Sequence, residues 1–348
     1  MGWLGDQLAR VAGQTTEDML FFEDLQASDI KPADWATPDN CYLELVVESL
    51  RIEKARVFGT NFHGVVYCYL TMSRQAEESA TLAAVTKPAH LSNLAPSSIG
   101  TVISRSRKMV GAIPWRGDRI SVELGLFSVK SGTVLNGLID FITEMSSVAG
   151  SSVVGCVKPF LPLFSKGMAI LSGQTSDTRL EVGLDTNLEA GFPRTYAIVA
   201  APKGTISREK ISLDPADHKL LYEGRPLSAS YCVFTVLPTD RKTDFGEIPQ
   251  LRETFADFRK PLMAGNASAA RAALAVFRRA ALLSPDLIES DAERLVELAE
   301  QKMLKALAPP RDERTPADIG KVKFGGGVSL AQSAEEFPGS LAEIGLYS

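Results

Sequence analysis

The sequence predicts an α+β fold: an antiparallel β-sandwich carrying an inserted helical pair, followed by a small C-terminal helical bundle. Three observations predict it. Short segments rich in β-branched and aromatic residues recur from residue 41 to about 245, separated by Gly, Pro and Asp turns and without strand–helix alternation. That pattern belongs to antiparallel sheets rather than doubly wound ones. From residue 248 the apolar period becomes helical. Between two of the strands, residues 133–173 form the most apolar stretch of the chain, charged only at Asp140, Glu144, Lys158 and Lys166.

The elements are taken in chain order. Residues 1–40 read as an N-terminal helix, with Trp3, Leu4, Leu8 and Val11, and a connector punctuated by Pro32 and Pro38. The start has no basic region leading into an apolar one, so no secretory leader is expected. Nor is myristoylation, although the chain begins Met-Gly. Residues 41–247 form the sandwich. Its strands are CYLELVVESLRIEKARV (41–57), GVVYCYLTM (64–72), SATLAAVTK (79–87), RISVELGLFSV (119–129), RLEVGLDTNL (179–188) and TYAIVAAPKG (195–204). A hairpin with arms 219–223 and 230–237 turns at Gly224. Both sides of 64–72 are apolar, which predicts burial on two faces. Residues 88–118 hold three prolines and three glycines and read as a long irregular connection.

Within the apolar stretch, Leu135, Leu138, Ile142 and Met145 recur at three- and four-residue spacing opposite Asp140, Glu144 and Ser147. That is an amphipathic helix. Gly150, Pro159 and Pro162 interrupt the second half of the stretch. A spanning helix needs about 20 apolar residues in a row, so 133–173 is expected to cover the sheet rather than cross a membrane.

Residues 248–308 form the bundle. Leu251, Phe255, Phe258 and Leu262 lie at i, i+4, i+7 and i+11, with Pro249 at the start. Residues 266–283 form an Ala-rich helix with Asn266 as its cap. Residues 290–307 open on a Ser290/Glu293 capping box. Residues 309–348 are rich in Pro, Gly and polar residues and read as an extended tail.

Composition excludes some functions. Hydrophobic residues make up 45% and charged residues 23% of 348, the ordinary balance of a folded protein. A net charge of −5 argues against non-specific nucleic-acid binding. Cys41, Cys68, Cys156 and Cys232 are far apart and form no CxxC pair. They read as reduced thiols of a cytoplasmic protein. The three histidines, His63, His90 and His218, offer a base for a Cys/His hydrolase only if the fold brings one to a thiol. The acidic loop with Asp240, Asp244 and Glu247 also carries Arg241 and Lys242, which oppose a cation. Gly325–Gly327 lack the Lys-Ser/Thr of a phosphate loop. No catalytic residue, cofactor or metal is assigned.

YLELVVESLRIEKARVFGTNFHGVVYCYLTM (42–72) and GDRISVELGLFSV (117–129) resemble the opening and late strands of a C2-type β-sandwich, a likeness that covers roughly residues 42–129. The equivalent of the first loop, EKARVFGTNFHG, lacks the aspartates that bind calcium in such domains. The resemblance implies a calcium-independent module for protein or membrane contact, and it transfers no site residues.

The resulting expectation is a non-enzymatic interaction or scaffold protein, a bacterial cytoplasmic component of a larger assembly, with another protein as partner. The alternatives are a membrane-associating or pore-forming effector that deploys 133–173, and a Cys/His hydrolase. Contact residues are expected in two places: Trp115 with Arg116 and Arg119 in one loop, and Phe324, Phe337 and Tyr347 in the tail.

Overall fold

The computed structural model describes residues 17–25, 35–53, 56–57, 60–74, 77–85, 103–117, 119–130, 136, 178–189, 193–243 and 245–308. The chain divides into two compact units, Met1–Asp240 and Arg241–Ser348. The fold is α+β, with antiparallel sheets first and three helices last.

The N-terminal unit holds strands β1 (Glu17–Phe22), β2 (Tyr42–Arg51), β3 (Arg56–Val57), β4 (Thr60–Arg74), β5 (Glu77–Val85), β6 (Ile103–Pro114) and β7 (Ile120–Lys130). They are followed by β8 (Thr178–Leu188), β9 (Arg194–Pro202), β10 (Ile211–Leu213), β11 (Leu220–Tyr222), β12 (Arg225–Pro226) and β13 (Ser230–Thr239). One sheet runs β1-β9-β13-β2-β6. A second runs β3-β4-β7-β8, with β5 also paired to β4. A small third sheet is β10-β11-β12.

Burial on both faces of the first sheet explains its strands. Along β9, Tyr196, Ile198 and Ala200 enter the core shared with β4, β7 and β8, where Val66, Cys68, Val122, Leu124 and Val182 are buried. The alternate residues Ala197, Val199 and Ala201 enter a separate cluster with Ile211, Leu220 and Leu227 from the small sheet and its flank. A strand covered on two sides has no polar face to alternate with. One polar device crosses the inner core, and another links neighbouring strands of the first sheet. Glu181 of β8 accepts hydrogen bonds from Ser128 Oγ of β7 at 2.6 Å and Ser230 Oγ of β13 at 3.1 Å, joining the two large sheets. Thr195 and Thr235 share a buried hydroxyl–hydroxyl bond of 3.0 Å. Partnered in this way, the buried polar atoms keep the bonds that water would have supplied.

Several expectations require correction. Residues 17–22, placed in an N-terminal helix and connector, form β1 and pair with β9. Part of the supposed irregular connection 88–118 is β6, an edge strand on β2 with three register irregularities. Its sequence, ISRSRKMVGAIP, carries charge, glycine and a terminal proline, devices that keep an edge from pairing further. The hairpin arms also have other partners. β11 turns through Glu223 (φ 52°) and Gly224 (φ 74°) to β12, whereas β13 joins the large sheet between β9 and β2. Two successive positive φ angles match a two-residue hairpin turn. The helical insertion at 133–173 lies outside the described residues except Asn136. β7 and β8, which flank it in sequence, are antiparallel neighbours.

The C-terminal unit has α1 (Pro249–Met263), α2 (Ala267–Leu282) and α3 (Glu289–Leu307). Its first residue precedes the expected boundary at 247/248 because Phe245 and Ile248 are buried in the helical core with Leu251, Phe258, Phe277 and Leu295. α1 ends in a Schellman motif: Gly265 (φ 67°) donates to Leu262 O and Asn266 to Pro261 O. Asn266 then caps α2, its Oδ1 accepting Ala269 N–H at 3.1 Å. α3 begins at Glu289 with Ile288 as N-cap, so Ser290 lies inside the first turn and the expected capping box does not form. Asp291 does the anchoring. Its buried carboxylate accepts Lys242 N–H at 2.8 Å and pairs with Arg294 at 2.8 Å. Arg294 in turn stands over the Phe245 ring.

Candidate functional site

The first expected contact loop is largely committed to structure. Trp115 is 5% exposed and belongs to the inner core of the sandwich. Its backbone N–H donates to Cys41 O, and its carbonyl accepts Asp39 N–H. The Arg116 guanidinium pairs with Asp39 at 2.8 Å. Arg119 is the exposed member, 4.0 Å from Glu189 at the surface. The indole therefore faces the core, and only Arg119 stands where a partner can touch it. Phe324, Phe337 and Tyr347 lie outside the described residues.

The thiols are placed for packing. Cys68 and Cys232 are fully buried in the inner core. Burial pushes the Cys232 thiol up to about 12 and the Cys41 thiol up to about 11. It raises Cys68 further still, with Cys232 and Glu123 adding to the effect. Such thiols stay protonated at neutral pH and are weak nucleophiles. Cys156 and His90 lie outside the described residues.

His218 is held in the turn between β10 and β11 at φ 54°. Its Nδ1 lies 3.0 Å from Glu48 Oε2, and its carbonyl accepts Ser49 Oγ–H at 2.6 Å. Glu48 falls at a register shift of β2 against both neighbours, between Val47 and Ser49. That bulge turns its carboxylate toward the imidazole. A carboxylate on Nδ1 orients a histidine, as in hydrolytic triads. Here, however, the adjacent hydroxyl gives its proton to the main chain, so the group acts as a clamp between β2 and the turn. Asp214 and Asp217 tighten that turn by accepting Ala216 and Lys219 N–H groups. Among the described residues no three His, Cys, Asp or Glu side chains gather as metal ligands. No helix among them is long and apolar enough to cross a membrane.

The remaining site is on α1. Arg252, Phe255, Ala256, Arg259, Lys260 and Met263 line an open groove along one side of the helix. Their spacing of three, one, three, one and three residues places them on one face. The opposite face is buried through Leu251 and Phe258. Phe255 sits at the boundary, its ring 5.9 Å from Phe258 and 5.5 Å from Phe277. Those contacts fix the apolar floor of the groove. Met263 is 67% exposed at one end. Lys260 is paired with Asp257. Arg252 and Arg259 are half-buried and make no ion pair among the described residues. Their aliphatic stems extend the apolar floor, and their guanidinium groups supply a cationic rim.

Sequence reasoning picked out the buried side of this helix and missed the groove. The signal was present at the same spacing on the other side, but it is half cationic and does not register as a hydrophobic stripe.

No protein-family model, curated protein or solved structure matches the chain.

Proposed function

We propose that this chain is a non-enzymatic interaction protein, a cytoplasmic scaffold or adaptor in a larger assembly. In this reading its helical unit docks an acidic, amphipathic peptide segment of a protein partner on α1. The observation that carries the proposal is the pairing of an apolar floor, Phe255 and Met263, with two half-buried arginines that lack ion-pair partners among the described residues. Arginine binds carboxylates through two parallel hydrogen bonds. Aromatic and arginine side chains also dominate the energetics of interfaces. A partner that brings carboxylates to the rim and an aromatic or branched side chain to the floor satisfies both halves at once. The sandwich, whose strands resemble a C2-type module, would offer a second platform for protein contact.

Display of random peptides against the full chain tests this. Enriched sequences should carry two or more Asp/Glu residues with apolar residues three or four apart. Arg252→Glu with Arg259→Glu should lower their affinity at least about tenfold, the order expected for losing a charge-assisted pair. Enrichment of basic or neutral peptides, or binding indifferent to the double reversal, would overturn the proposal.

A further inference from the structure

Residues 324–348 of this same chain have the chemistry the groove asks for. They contain Glu335, Glu336 and Glu343 and no Lys or Arg. Leu341, Ile344 and Tyr347 recur at three-residue spacing, and Phe337 precedes them across Pro338 and Gly339. Ser340 and Glu343 stand at capping-box spacing at the start of that run.

The chain is long enough to deliver them. α1 and α3 share one core, in which Phe258 and Leu295 are both buried. α3 has 19 residues and so spans about 28 Å. A random coil as long as the stretch between the end of α3 and Phe337 averages roughly 30 Å end to end. That distance covers any point on a helix of α1's length. Attachment at this range corresponds to an effective concentration of about 1 mM.

We infer that the segment 324–348 docks in cis on the α1 groove, with Glu335, Glu336 and Glu343 on the Arg252/Arg259 rim and Phe337, Leu341, Ile344 and Tyr347 on Phe255 and Met263. The segment then competes with any external peptide, and a partner must displace it. The inference rests on the docking role proposed for α1.

The test uses the full chain and a labelled synthetic peptide of residues 331–348. Two proteins are compared by fluorescence anisotropy: the natural chain, and a variant with Glu335→Gln, Glu336→Gln, Phe337→Ser and Tyr347→Ser. These changes remove the competitor without adding charge. For a peptide that binds with a dissociation constant of about 100 μM, ~1 mM of tethered competitor weakens binding about tenfold. Binding to the variant should therefore be about ten times tighter than to the natural chain. It should be lost when Arg252→Glu and Arg259→Glu are added. Equal binding to both proteins overturns the cis contact and leaves the docking role of α1 standing. Binding to neither overturns both. Binding that survives the two arginine reversals places the peptide elsewhere and also overturns the inference.

Discussion

Replacing Tyr196 by phenylalanine should stabilise the sandwich, and more so at high pH. The ring lies in the inner core, stacked on Phe234 at 5.1 Å and on Phe21 at 5.7 Å. Phenylalanine keeps those contacts. The hydroxyl is buried and has no partner at good hydrogen-bond geometry among the described residues, Arg194 being a polar neighbour; such a loss is worth about 1–3 kcal/mol in a protein interior. Removing it should return about 1 kcal/mol at pH 7. Burial also pushes this phenol up to about 12 from 10.0, with Arg194 pulling the other way. An acid whose folded pKa is raised contributes its full stability below the unfolded value. That contribution disappears as pH climbs toward the folded one. By pH 11 the natural protein has therefore lost about 1.4 kcal/mol through this group, about 1 of it between pH 10 and 11, and Tyr196→Phe has not. The advantage of the variant should grow from about 1 to somewhat over 2 kcal/mol between pH 7 and pH 11. Tyr231, Cys41 and Cys232, raised in the same way, add an equal alkaline slope to both proteins and cancel. Urea denaturation followed by tryptophan fluorescence is the measurement. Trp3, Trp35 and Trp115 all precede residue 241, so the signal reports the N-terminal unit. A variant less stable at pH 7, or an advantage that does not change with pH, would refute the reasoning and show that the hydroxyl is satisfied.

Two further outcomes are expected. Asn266→Ala removes the bond to Ala269 N–H and should cost about 1 kcal/mol in helical-unit stability, seen as earlier loss of ellipticity at 222 nm; no change would mean that the Schellman turn alone sets the start of α2. His218→Asn tolerates the left-handed backbone but breaks the contact with Glu48. It should cost about 1–2 kcal/mol, and a double-mutant cycle with Glu48→Gln that shows no coupling would rule out the clamp.

Legibility from sequence followed local signal strength. β2, β4, β7, β8 and β9 are apolar enough on one or both faces to be read directly, and α1 to α3 carry the helical period. β6 escaped because an edge strand is built to look unlike a strand: its charges, Gly111 and Pro114 discourage pairing, and among the described residues only β2 supplies its ladder. The partner of β13 could not be read from its neighbour in sequence, because Glu223 and Gly224 close a tighter hairpin within β11 and β12. Ser290 has the right neighbours for a cap, yet burial of Ile288 and the Asp291–Arg294 pair place the cap two residues earlier, at Ile288. Trp115 misled through its company. Flanking arginines suggest a surface patch, while the indole packs in the inner core. The α1 groove went unread because a search for hydrophobic stripes discards a face that alternates arginine stems with Phe255 and Met263.

The pairing of β7 with β8 has a consequence for the long apolar stretch between them. Val129 lies opposite Thr178 in the ladder, so the strand residues that bracket that stretch in sequence are held side by side, as the bases of a short hairpin would be. The sheet meets the closure requirement whatever the length of the loop, and each doubling of length adds only about 0.6 kcal/mol. The stretch thus enters and leaves the fold, in sequence, at one strand junction. Its sequence can diverge, lengthen or acquire a separate task while the host sheet keeps its register.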